Sequence, residues 1–277
     1  MSAYQSTFFE VEVDGGVAHL AMNRPEKANG MSPDFWEDLP RLTRELERDM
    51  SIRAMVISGR GKHFTGGMDL SAFGSIMDLL KGEPARSTYE MRNLVMKLQG
   101  SFNALEEARF PIIAAIHGAC IGGGIDMISA CDIRLASSDA TFSIEEINIG
   151  MTADVGTLQR LPKLMAPGIV KELAYTGRRF SASEGKDWGF INTICDSREN
   201  VVNEAIDLAR EIASKSPLAI AGIKNSIDYA RDHNVTDSLN QIATWNGGML
   251  RPEDLMGAIK AKMEKKQAVF ADLLKSK

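Results

Sequence analysis

The stretch HGACIGGGIDMISACD, residues 117–132, constrains this chain more than any other. It is almost wholly apolar, so it belongs in an interior. Gly122, Gly123 and Gly124 cost backbone entropy there, so the fold needs bare backbone at that point. Close behind them stands a carboxylate, Asp126, in surroundings that disfavour a charge. Such glycines serve either close packing between a strand end and a helix start, or N–H groups that face a ligand oxygen. An oxyanion site takes at least two donors, which calls for a second glycine turn. GKHFTGGMDL, residues 61–70, supplies a candidate.

The flanking sequence reads as alternating strands and helices. FFEVEVDGGVAHLAMN has the form of a hairpin about Asp14-Gly15-Gly16. RAMVISG (53–59), PIIAAIHG (111–118) and CDIRLAS (131–137) read as strands, the first two buried on both faces of a parallel sheet. In SPDFWEDLPRLTRELERD, Ser32 is the expected N-cap and Pro33 the first helical residue. Phe35, Leu39, Leu42 and Leu46 share one helical face, and Pro40 predicts a kink. Residues 73–90 have weak periodicity and read as a mobile flap over a site. APGIVKELAYTG ends at Gly177 as a C-cap, and Ser181 and Glu184 have capping-box spacing. Residues 198–214, 217–232 and 252–274 have helical spacing. The class is therefore α/β, with a core over 1–200 and a helical region over 201–277.

Composition narrows the function. A net charge of -5 argues against nucleic acid as a partner. No run of about 18 apolar residues marks a membrane span. The first residues lack a leader pattern and LLKSK is not a peroxisomal address, so a cytoplasmic location is expected. Cys120, Cys131 and Cys195 form no CxxC pair, and the histidines His19, His63, His117 and His233 are scattered. Disulfide, zinc, serine-triad and dinucleotide chemistry are thus not indicated.

Three segments in order, NRPEKANGMS, GKHFTGGMDL and AAIHGACIGGGIDMISACDIRLAS, resemble the signatures of the enoyl-CoA hydratase/isomerase, or crotonase, superfamily. The resemblance runs from about residue 8 to the C-terminus. It implies a fold of repeated ββα units in a spiral core, with C-terminal helices that join copies as trimers or dimers of trimers. It also implies an acyl-CoA thioester as substrate, with no cofactor besides the CoA that the substrate carries. The thioester oxygen would lie between the backbone N–H groups of Met68 and Gly123. Arg24 and Lys27 would meet the CoA phosphates or adenine; without the resemblance they read as solvated charges.

In hydratases of this superfamily one catalytic acid stands where Asp126 does, and the second where Glu146 does. EEINIGMTADVGTLQRLPKL further resembles Δ3,5-Δ2,4-dienoyl-CoA isomerases, which carry a third acid at the position of Asp154. That resemblance implies isomerisation of 3,5-dienoyl-CoA to 2,4-dienoyl-CoA in fatty-acid β-oxidation. A proton leaves C2 and one arrives at C6, and two separated acids serve those stations. Glu146 is the expected C2 base, Asp154 the C6 acid, and Asp126 tunes the site. Clustered carboxylates raise one another's pKa. Glu145 reads as a solvated neighbour, His117 as a core residue and His63 as structural or ligand-adjacent. Two other readings stand: a hydratase using Asp126 and Glu146, and a non-catalytic acyl-CoA-binding protein with this fold.

Overall fold

The computed structural model describes residues 4–69, 72–79 and 81–273. Its central sheet runs in the order β1 (Phe9–Asp14), β2 (Val17–Met22), β3 (Ala54–Gly59), β4 (Ile112–Ile116), β6 (Ile133–Ser137) and β9 (Thr193–Cys195). β1 and β2 are antiparallel, and every later pairing in this sheet is parallel. A smaller sheet joins β5 (Ala119–Ile121), β7 (Thr141–Ser143) and β8 (Phe180–Ser181). The helices are α1 (Pro33–Arg48), α2 (Ala72–Leu79), α3 (Pro84–Glu107), α4 (Gly123–Ser129), α5 (Thr157–Leu164), α6 (Pro167–Thr176) and α7 (Ala182–Asp187). Four more follow: α8 (Arg198–Ala213), α9 (Pro217–Asp232), α10 (Val235–Met249) and α11 (Pro252–Met263).

The expected hairpin is β1 and β2, turning at Gly15 and Gly16 with φ of 57° and 82°. β3 and β4 are buried on both faces, as their unbroken apolar runs require. Alternation divides the sheet. Val17, Val56, Ile113 and Leu135 face Val201, Ala205, Ala209 and Ala213 of α8. Three alanines four apart let α8 lie close to the sheet. Leu20, Met55, Ile57 and Ile112 join the other core with Phe35 and Leu39 of α1 and Phe102 of α3.

Several local expectations change. Ser32 occupies the N-cap position of α1, but its hydroxyl makes no capping bond and is buried without a partner. α1 includes Pro40 within its span. Proline has no N–H for the carbonyl of Trp36, and the Ser101 hydroxyl donates to that oxygen instead, at 3.1 Å. The stretch read as a flap folds as α2 and the start of α3; Leu80, within it, lies outside the described residues. Glu83 caps α3 by accepting from the Ala85 and Arg86 N–H groups, and Pro84 suits the first turn. α10 is an addition: Asn234 caps it, but Gly247 and Gly248 near its end blur the helical signal. The Ser181–Glu184 capping box and the left-handed Gly177 C-cap form as expected.

Candidate active site

Two loops meet where the small sheet joins the central one. The loop after β3 pairs Thr65 with Cys120 and Met68 with Met31 through isolated bridges. Met31 N–H donates to Gly67 O and Asp69 N–H to Met31 O, at 2.8 and 3.2 Å. These bonds flank Met68, and a parallel bridge leaves the central residue's own N–H on the opposite edge. Asn29 holds this loop. It is fully buried, and its amide donates to the carbonyls of Arg60, His63 and Phe64 while its oxygen accepts from Arg24 N–H.

The second loop is the glycine run. Gly122 adopts φ 52°, and Gly123 opens α4, where first-turn N–H groups have no acceptor within the helix. A Cβ on Gly124 would lie 2.6 Å from Thr65 Cγ2, and one on Gly123 2.9 Å from Met31 Sδ. Bare backbone at Gly124 is therefore needed for packing the two loops together, whereas at Gly123 the flexible Met31 side chain can give way. A side chain at Gly123 points first at Met31.

These loops form one wall of a cavity of about 120 Å³ lined by Met68, Gly122, Gly123, Glu146, Asp154 and Trp36, among others. Glu146 stands on a one-turn 3-10 segment, Glu146–Ile149, that ends at Gly150 in the left-handed conformation. Asp154 precedes α5. The structure thus brings Met68, Gly123, Glu146 and Asp154 to one cavity. Asp126 is not on its wall. It is 0% exposed, and its Oδ1 accepts from the Thr157 N–H at 2.6 Å. Gly156, the N-cap of α5, has no side chain to offer. Asp126 replaces that cap from 31 positions away and fixes the turn that carries Asp154.

The electrostatics follow from burial. Burial pushes Glu146 up to about 7, helped by the charges of Asp126, Asp154 and Glu145. Burial likewise raises Asp126 from 3.8 to about 6, with the charge of Asp154 adding to it and the Thr157 N–H bond opposing. Asp154 is raised too, again mainly by burial. Buried polar atoms without a protein partner concentrate here: Trp36 Nε1, Asp126 Oδ2, Glu146 Oε2 and Thr157 Oγ1. Among the described residues, no group of three or more His, Cys, Asp or Glu is arranged to hold a metal ion.

The other named residues divide. Arg24 does not line the cavity: its guanidinium donates to Gly30 O at 3.1 Å and pairs with Asp69 at 3.3 Å. Lys27 is exposed on the neighbouring turn. Glu145 is no free solvated neighbour, because Ser143 and Asn148 donate to its two oxygens. His117 is buried, its Nε2 meeting Gly61 O, while His63 Nδ1 accepts from Ala119 N–H. Asn29, Trp36, Gln99 and Thr157 escaped the sequence reading. Only Thr157, after a glycine that cannot cap, left a local signal.

The family model described as enoyl-CoA hydratase/isomerase matches residues 12–273. The chain is 43% identical to the mitochondrial Delta(3,5)-Delta(2,4)-dienoyl-CoA isomerase of Rattus norvegicus over 91% of this chain and 78% of the rat protein. It is 42% identical to the peroxisomal enzyme of that name from Arabidopsis thaliana, over 94% of each. The crystal structure of an enoyl-CoA hydratase from Bacillus anthracis matches with a TM-score of 0.87 at 27% identity, covering 95% of this chain and 99% of that one. The relatives' names place them in mitochondria and peroxisomes, which overturns the expected cytoplasmic location. Compartment is set by receptor-read addresses, so the composition of a folded core does not decide it.

Proposed function

The chain belongs to the enoyl-CoA hydratase/isomerase family, and we propose that it converts 3,5-dienoyl-CoA to 2,4-dienoyl-CoA, a step of fatty-acid metabolism. The observation that carries this reading is the pair Glu146 and Asp154 in one cavity with Met68 and Gly123. The thioester oxygen lies between the N–H groups of Met68 and Gly123. Ionised Glu146 takes a proton from C2, and the electron pair spreads through the diene to the thioester oxygen. Fixed donors stabilise that charge without reorganising. Protonated Asp154 then delivers a proton to C6, leaving double bonds at C2–C3 and C4–C5.

The proton must stand on Asp154 and not on Glu146 when reaction begins, although in the free site Glu146 is pushed up to about 7. The acyl chain resolves this. Asp154 is only partly buried in the free protein, and an apolar chain laid against it strips water from its carboxyl. Glu146 Oε2 is already buried and changes less. The protons belong to the coupled set and redistribute when substrate enters.

Asp126 tunes by charge and by holding the α5 turn. Its burial and its bond to Thr157 N–H argue against a water gripped between Asp126 and Glu146, which the hydratase reading requires. Lys27 is the freer candidate for a CoA phosphate, and Arg24 steadies the Met68 loop through Asp69. The exposed Ile223, Ile227, Leu239 and Met256 on α9–α11 support a trimer or dimer of trimers built through this region. The test is incubation with 3,5-dienoyl-CoA and, separately, 2-enoyl-CoA. Long-wavelength absorbance of a conjugated 2,4-dienoyl thioester is expected from the first. Its absence, with hydration of the second, contradicts the reading.

A further inference from the structure

Asp154 is held through its main chain, and the group that holds it is on α3. Gln99 Nε2 donates to the Asp154 carbonyl oxygen at 2.7 Å, across 55 positions of sequence. The same turn of α3 also reaches Trp36. Ser101 donates to Trp36 O, the carbonyl that Pro40 leaves without its helical partner, and the Phe102 ring lies 5.2 Å from the Trp36 ring. Trp36 and Asp154 both line the cavity, so residues 99–102 brace two of its lining residues.

The segment from Asp154 to Thr157 has one side-chain hydrogen bond to its backbone at each end. Gln99 holds the carbonyl of Asp154, and Asp126 holds the N–H of Thr157. Between them Gly156 adopts φ 140°, a conformation that side-chain residues rarely take and that supplies no side-chain restraint of its own. With Gln99 gone, the peptide plane after Asp154 loses its side-chain hydrogen bond, while Val155 in the core and the Gly156 carbonyl, which accepts from Gln159 and Arg160 N–H, keep the segment folded. That plane sets the backbone from which the Asp154 carboxyl projects. Gln99 itself lines an adjoining polar cavity of about 280 Å³ with Asn103 and Arg160. Water there can satisfy the Asp154 carbonyl, so losing the amide costs alignment more than stability.

We propose that Gln99 is the positioning residue for Asp154, acting on protonation at C6 and not on proton removal at C2. This inference rests on the isomerase reading of Asp154. It makes a distinction that a general structural role does not: the two proton transfers should respond differently to its loss.

Gln99→Met keeps the side chain's length without its donor. The parent protein and this variant are incubated with 3,5-dienoyl-CoA in heavy water. Mass spectrometry follows deuterium at C2 of recovered substrate, and absorbance follows the 2,4-dienoyl product. The variant's product rate should fall about ten- to a hundredfold, as small misplacements of reacting groups do, while C2 exchange stays within about twofold. In Gln99→Glu, the carboxyl donates only when protonated. Its product rate should recover relative to the parent as pH falls, a response that a packing defect does not give. A product rate for Gln99→Met within about twofold of the parent overturns the proposal. So does an equal fall in exchange and product, which marks a general lesion. A parent that forms no 2,4-dienoyl product overturns the isomerase reading itself.

Discussion

Glu146 and Asp126 show how two acids, one beside the glycine run in space and one beside it in sequence, come to differ. Glu146 has an oxygen on the cavity side of a short turn; Asp126 spends an oxygen on the Thr157 N–H and faces no cavity. Glu146→Gln keeps the shape but removes the base, so isomerisation should fall at least about a hundredfold and C2 exchange with it. Because the base must be ionised, kcat/KM should decline below about pH 7. Asp126→Asn removes a like charge that raises Glu146, so that limb should move to lower pH. The same variant reports on stability. Asp126 is raised on folding, so its contribution is fully present below about pH 4 and lost as pH rises through about 6. Asparagine does not ionise. The melting temperature of Asp126→Asn relative to the parent should therefore rise between pH 4 and pH 8.

Asn29 matters at the scale of the element, because one side chain holds the whole turn that presents Met68. Asn29→Ala leaves the carbonyls of Arg60, His63 and Phe64 without their donor in a largely buried place. Unpaired buried groups of this kind cost about 1–3 kcal/mol each, so denaturant titration should show a loss of several kcal/mol. Sequence spacing revealed the strands that flank the turn, since continuous apolar runs report burial directly. It revealed the three acids through their surrounding words. It did not reveal what Asn29, Gln99 or Ser101 hold, because each makes a bond to a backbone atom distant in sequence. Pro40 shows the same limit: its local rule leaves the Trp36 carbonyl without a helical donor, while the hydroxyl that satisfies it lies 65 positions from Trp36 on α3. The separation of Asp126 from the cavity wall was equally hidden, for it depends on α5 arriving with a glycine at its N-cap.

Across the whole molecule, the sheet and α8 form one core, and α9–α11 carry apolar side chains outward. Lys224 on α9 ties this region back, pairing with Asp132 at 2.9 Å and donating to the Leu105 and Phe110 carbonyls. If α9–α11 join copies, Ile227→Glu, at a position 65% exposed, should leave the fold intact but shift light scattering toward the single-chain mass of 30.3 kDa. An unchanged assembly would remove that face from the interface.

The central claim is that protons move between carbon atoms and no water is added. It is tested most directly with 3,5-dienoyl-CoA in heavy water enriched in oxygen-18, with the product analysed by mass. The account predicts a conjugated 2,4-dienoyl-CoA that carries deuterium at C6 and no solvent oxygen on its acyl chain. Unchanged 3,5-dienoyl-CoA, with 2-enoyl-CoA in a parallel incubation converted to a 3-hydroxyacyl thioester bearing oxygen-18, would contradict it.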